Sequence, residues 1–273
     1  DVSSGSPGRM TAPDPVVLRE RVDDAIAVLR LNRPHRLNAV SLPLYQHLLA
    51  ALNEIDDDPS VRAVIITGEG RGFCVGADLK AHGSGELTPQ ERLEYVSTGQ
   101  NAYRRLQHLS KPTVAAINGH AIGAGIELAL SCDFIVVAEE AKLRLPELGL
   151  GTFVGGGTVF TLAQRVGLAK AKELIMLGEF FSGRDAVACG LANAAVGAAA
   201  VWDESVALAR KLAEKAPLPM RRAKELLHHA QRLSYEEALE LEAETLLRCM
   251  DTRDWREGIA AFDEKRKPHF TGE

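Results

Sequence analysis

Residues 119–147 read G-H-A-I-G-A-G-I-E-L-A-L-S-C-D-F-I-V-V-A-E-E-A-K-L-R-L-P-E, and no other stretch limits the fold of this chain as strongly. Three glycines fall within its first seven residues, an apolar run follows, and carboxylates stand at Glu127 and Glu147. The preceding β-branched run, Thr113 to Ile117, reads as a buried strand. Gly125 to Cys132 reads as a helix whose N-terminus is wrapped in glycine. Glycine lets a backbone approach a ligand closely, and a helix start offers unpaired N–H groups and the positive end of a dipole. Strand, tight turn, donor-rich helix start and a carboxylate one turn in describe a site that stabilises developing negative charge.

Two other readings compete. Gly123-x-Gly125 matches part of a dinucleotide-binding turn, but Leu128 stands where the third glycine belongs, and Glu127 would face the pyrophosphate. A purely structural strand–helix pair leaves Glu127 unexplained between Ile126 and Leu128, because a carboxylate in an apolar helix is costly without a partner or a task.

The 273 residues allow one large domain, or one domain with an appendage, and 46% hydrophobic with 25% charged residues is a globular composition. A net charge of −5 without a basic stripe argues against nucleic acid. Cys74, Cys132, Cys189 and Cys249 are scattered, with no metal-ligand spacing, and are expected to be reduced in a cytoplasmic protein. Cys74 has no basic neighbour that would mark a nucleophile. Residues 112–138 are broken by Asn118, His120, Glu127 and Asp133 and read as core rather than a membrane span.

Residues 1–15, rich in Ser, Gly and Pro, are expected to form a disordered tail. Val16 to Glu20 and Ala25 to Leu31 form an expected hairpin. A loop to Val40, a helix capped by Ser41 and a strand over Ala63 to Thr67 follow. Arg71 to Lys80 repeats the strand–glycine–donor arrangement around Ala77. The polar stretch from His82 to Pro89 is the expected mobile lid, preceding a helix to His108. A second glycine-dense loop spans 149–157, with helices expected over 158–166, 169–177 and 184–190. From residue 199 the chain reads as helix over 199–215, 217–232, 234–250 and 252–266, with Ser234 and Glu237 forming a capping box. The expected division is therefore an α/β body over 16–198 and a helical region over 199–273 whose apolar faces need a covering surface.

Asn32-Arg-Pro-x-x-Leu-Asn-Ala-Val40, Gly76-Ala-Asp-Leu-Lys80, Lys111-Pro-x-x-Ala-Ala-x-Asn-Gly119, Gly125-x-Glu-Leu-Ala129, Pro146-Glu147 and Glu257-Gly-x-x-Ala-Phe262 are collinear. Together they resemble the enoyl-CoA hydratase/isomerase (crotonase) family from about residue 16 to 270. The resemblance implies a crotonase-like spiral of ββα units with a helical C-terminal region, assembled as a homotrimer or as a hexamer of paired trimers. It also implies an acyl-CoA thioester substrate in fatty-acid β-oxidation chemistry, with coenzyme A belonging to the substrate and no further cofactor or metal.

By motif, the backbone N–H groups of Ala77 and Ala124 would form an oxyanion hole, and Glu127 and Glu147 would be the catalytic acids and bases of water addition. Arg36, Leu37, Ala39, Ala77, Asp78, Leu79, Lys80 and Gly125 resemble substrate- and CoA-binding positions. Lys265 resembles a lysine that reaches CoA across a subunit interface, whereas Leu246 stands where an aromatic CoA contact is common. Retention of both glutamates favours hydratase. Double-bond isomerisation or hydration of a cyclic or aromatic acyl-CoA is the first alternative, and a non-catalytic acyl-CoA-binding protein the second. Three departures stand out. Ala124 replaces a glycine and would be strained if its backbone needed positive φ. Arg144 stands near Glu147, and the loop over 152–160 is altered, with Phe153, Val154 and Phe160 expected to wall an apolar pocket.

Overall fold

The computed structural model describes residues 15–78 and 87–273. The expected disordered tail up to residue 14, Leu79, Lys80 and most of the expected lid lie outside the described residues. Nine strands form two sheets among the described residues. β1 (Val17–Asp23) and β2 (Ile26–Leu31) make the expected antiparallel hairpin, Val17 opposite Leu31. β2 then pairs in parallel with β3 (Ala63–Gly68), and the sheet continues in parallel through β5 (Thr113–Ile117), β7 (Phe134–Ala138) and β9 (Ala194–Val196). β3 and β5 are buried along their whole length, which is why their sequences are continuous apolar runs rather than alternating ones.

A second, smaller sheet is made of β4 (Gly72–Cys74), β6 (His120–Ile122) and β8 (Leu143–Arg144), all parallel. Each large-sheet strand β3, β5 and β7 turns at once into its small-sheet successor, and helical structure follows. Three ββα turns are thus wound on one another, the crotonase-like spiral expected from the sequence. β6, β8 and β9 were not anticipated, because two or three residues carry no readable alternation.

The helices are α1 (Leu42–Asp57), α2 (Pro89–Gln107), α3 (Ala124–Leu130), α4 (Thr158–Lys172), α5 (Gly183–Ala188), α6 (Val201–Ala213), α7 (Pro217–His229), α8 (Tyr235–Met250) and α9 (Arg253–Asp263). Ser41 caps α1 by accepting from the Leu44 N–H, and Ser234 and Glu237 close the expected capping box of α8. α4 is broken by Gly167 at φ 76° and ψ 162°, the boundary expected between the helices over 158–166 and 169–177. Residues 173–177 then continue as a single π-helical turn.

α6 lays Val201, Ser205, Val206 and Ala209 against the large sheet, so the helical region is rooted in the body. α7 is tied down by Lys224, whose buried ammonium donates to Asp133 at 2.8 Å and to the Lys111 carbonyl at 3.0 Å. α8 buries no residue of its own, leaving Leu239, Leu246, Leu247 and Met250 exposed. No helix among the described residues is long and apolar enough to cross a membrane.

Candidate active site

The glycine turns at the ends of β4 and β6 converge. Gly76 has φ 90°, and a Cβ there would lie 2.9 Å from the Ile122 carbonyl and 3.7 Å from the Ala124 nitrogen. The two turns therefore touch, which brings the Ala77 and Ala124 amides to one place in the fold. Among the described residues, neither amide donates to a backbone carbonyl. The expected strain at Ala124 does not arise. Gly123 takes the positive φ of 51°, and Ala124 is the first helical residue of α3 with ordinary backbone geometry. Gly125 is buried because its Cα faces the Cys74 carbonyl, 2.0 Å from where a Cβ would stand.

A cavity of about 480 Å³ opens at this junction, and its wall includes Ala77, Ala124, Glu127 and Glu147. Glu127, buried on α3, is held at Oε1 by two donors, the Gly155 N–H at 2.8 Å from the loop before α4 and the Thr158 hydroxyl at 3.0 Å from the first residue of α4. Burial raises its pKa, and hydrogen bonds from Gly155, Gly156 and Thr158 oppose that shift by stabilising the carboxylate. Glu147 opens the 3₁₀ turn Glu147–Leu150. Its Oε2 is buried with no hydrogen-bond partner among the described residues. Burial raises its pKa, its own backbone N–H opposes the shift, and the Glu127 charge adds to it. Two carboxyl groups share one cavity, one supplied with donors from Gly155, Gly156 and Thr158 and the other only with its own backbone N–H. That asymmetry gives the charged form more hydrogen-bond support on Glu127 than on Glu147.

The loop carrying Arg36, Leu37 and Ala39 is joined to the turn at Ala77 and Asp78. Val40 N–H donates to the Gly76 carbonyl at 2.8 Å, Asp78 N–H to Val40 at 3.1 Å and Val75 N–H to Leu37 at 3.2 Å. Asn38, buried at φ 58°, pins the loop from inside: its amide donates to Glu69 and Gly72, and its Oδ1 accepts from the Arg33 N–H. Asp78 pairs with Arg33 at 2.8 Å, both largely buried, so its carboxylate fastens the two segments together. Arg36 is exposed beside this seam. Lys265, exposed beyond α9, and Leu246 do not line the cavity. Arg144 is engaged by other groups: its Nε donates to the Gly178 carbonyl at 2.5 Å and its guanidinium stacks on Phe180 at 4.9 Å.

Of the apolar residues expected in the wall, Phe153 lines the cavity, whereas Val154 and Phe160 line a neighbouring depression. Tyr45, Tyr95 and Tyr103 also line it and were missed, since their helical spacing reads as ordinary core. The role of Thr158 was signalled only by the Gly-Gly-Thr run at 156–158.

Residues 21–273 match the model of the enoyl-CoA hydratase/isomerase family. The chain is 42% identical over 255 residues to a probable enoyl-CoA hydratase of Bacillus subtilis, covering 92% of this chain and 97% of that protein. A crotonyl-CoA hydratase of Syntrophomonas wolfei is 34% identical over 249 residues, covering 91% and 95%. The crystal structure of an enoyl-CoA hydratase from Bacillus anthracis superposes with a TM-score of 0.91 at 33% identity, covering 94% of this chain and all of that one. With one spiral, one pair of converging glycine turns and two acids on a shared cavity, the chain belongs to the enoyl-CoA hydratase/isomerase family.

Proposed function

We propose that this protein is an enoyl-CoA hydratase, adding water across the double bond of a 2-enoyl-CoA thioester to give the 3-hydroxyacyl-CoA. The observation that carries the reading is the shared cavity, in which two differently supported carboxyl groups meet two backbone amides that donate to no carbonyl of the described chain. The thioester oxygen accepts from the Ala77 and Ala124 N–H groups, which stabilise the enolate as it forms; each such donor is worth about a hundred- to thousandfold in rate. Glu127, whose charged form its three donors stabilise against burial, orients a water and takes its proton as the oxygen bonds to C3. Glu147 delivers a proton to C2 from the same side, which makes the addition syn. Coenzyme A enters as part of the substrate, and no other cofactor is required.

The seam between the 36–40 and 76–78 segments is the proposed cradle for the CoA moiety, with Leu79 and Lys80 following it in sequence. The exposed apolar face of α8 fits assembly into trimers, and Lys265 would then reach the CoA of a neighbouring subunit. The test is loss of the conjugated thioester absorbance of crotonyl-CoA. Glu147→Gln and Glu127→Gln should each slow it by about a hundred- to ten-thousandfold. Product mass separates hydration from isomerisation, since only hydration adds a water. A wild-type rate in either variant would remove the role assigned to that residue.

A further inference from the structure

The chain has only 4 tyrosines, and Tyr45, Tyr95 and Tyr103 all stand on the wall of the active-site cavity, with Phe153 as a fourth ring. Tyr45 and Tyr103 are buried and locked together: their hydroxyls are 2.7 Å apart and their rings meet edge to face at 79° with centroids 5.6 Å apart. Tyr95 leans on Tyr45 at 5.5 Å and 55°. Two glycines make room for this cluster. A Cβ at Gly99, inside α2, would lie 2.9 Å from the Tyr45 ring, and one at Gly156 would lie 2.8 Å from the Tyr103 ring. A glycine within a helix weakens it, so the space for the Tyr45 ring is kept against local preference.

From this wall we infer that the acyl group accepted is an aryl one, a 2-enoyl thioester with an aromatic ring on C3. This rests on the hydratase reading above. Because the Tyr45 and Tyr103 hydroxyls bond each other and Tyr103 also donates to the Ala124 carbonyl at 3.4 Å, what the wall offers is ring faces and edges on side chains with few rotatable bonds. An alkyl chain gains from buried area alone and is indifferent to whether that area is aromatic. A planar ring gains offset or edge-to-face contacts as well, about two- to tenfold in affinity for each ring pair.

Conjugation of the aryl ring with the double bond favours the enoyl thioester, so turnover is read in the direction of water loss. There the C2 proton passes to Glu147, the C3–O bond breaks, and the oxygen leaves as water with a proton from Glu127. The substrates are 3-hydroxy-3-phenylpropanoyl-CoA and its straight-chain counterpart of equal carbon number, 3-hydroxynonanoyl-CoA. Tyr95→Leu is the main variant, because Tyr95 is only half-buried and the helix keeps its fold. It should lower the aryl-to-alkyl ratio of kcat/KM about two- to tenfold relative to wild type, a comparison in which intrinsic reactivity cancels. An unchanged ratio, or one shifted toward aryl, overturns the proposal. Calorimetric binding of the unreactive 3-phenylpropanoyl-CoA against nonanoyl-CoA reads the same preference without turnover. Tighter aryl binding with no water lost or added to any thioester would sink the hydratase reading and leave the pocket assignment standing; tighter alkyl binding would do the reverse.

Discussion

A Cβ at Gly123 would lie 2.4 Å from Oε1 of Glu147, so the carboxyl group of Glu147 sits directly on the Cα of the residue that precedes α3. Gly123 also holds φ at 51°, and its N–H donates to the Arg144 carbonyl at 2.9 Å. One glycine thus sets both the amide direction at Ala124 and the seat of the proposed proton donor. Gly123→Ala should strain the backbone by about 1–3 kcal/mol and push Glu147 aside. A displacement of about 1 Å at a reacting group costs roughly a hundredfold in rate. The expected result is a folded protein with a modestly lower Tm and kcat reduced about a hundredfold. Unaltered kcat would mean that Glu147 does not need this seat.

Thr158 gives the second test, because its hydroxyl donates to the carboxylate assigned as base. Thr158→Val keeps the volume and removes the donor. Hydrogen bonds to the charged form lower a carboxyl pKa, so their loss raises that of Glu127 further above its ordinary range. The base is then ionised only at higher pH, and the acid limb of the kcat/KM profile should move toward alkaline pH. An acid limb left in place, or moved toward lower pH, would contradict the assignment of Glu127 as base.

Much of this was legible in the chain itself. Residues 113–117 and 63–67 announced buried strands by unbroken apolar runs, and Ser41 and Ser234 announced helix starts by cap chemistry. The glycine turns at 76 and 123 pointed to paired donor sites. What stayed hidden depended on distance along the chain or on shortness. The donors to Glu127 lie 28 and 31 residues away, with no local pattern linking them. Tyr45 and Tyr103 are 58 residues apart, each looking like a core position of its own helix. The three-stranded second sheet is built from segments too short for periodicity to show, although it is what turns the strands into a spiral.

The Cys74 thiol lies at the end of β4 with no exposure, and burial, reinforced by the Glu127 charge, pushes its pKa up to about 12. Cys132 is likewise pushed up to about 12 by burial and by Asp133. Only the thiolate reacts with alkylating agents. Iodoacetamide near pH 8 should therefore modify the half-buried Cys189 and Cys249 first, leaving Cys74 and Cys132 intact until the chain unfolds. Peptide mass mapping reads this directly. Rapid labelling of Cys74 in the folded protein would show that this junction opens far more than the packing allows.

Asp133 is the anchor by which α7 is fastened to the sheet. It accepts from the Thr113 N–H at 2.8 Å, the Thr113 hydroxyl at 2.9 Å and the Lys224 ammonium at 2.8 Å. Burial alone would raise its pKa. The hydrogen bond from His228, the Lys224 charge and the Thr113 donors outweigh burial and hold it below the ordinary value. A carboxyl depressed on folding stabilises the protein above the unfolded pKa of about 3.9 and loses that contribution as pH falls through the folded value. Asp133→Asn leaves a buried ammonium unpaired, which should cost about 3–5 kcal/mol near neutral pH. The difference in unfolding free energy between wild type and variant should begin to narrow below about pH 4, where the unfolded chain takes up the proton, and should close as pH falls through the lower folded value, where wild-type Asp133 is neutral too. Urea titrations at a series of pH values measure the gap. A gap of constant size would show that the Asp133 charge is not what secures α7.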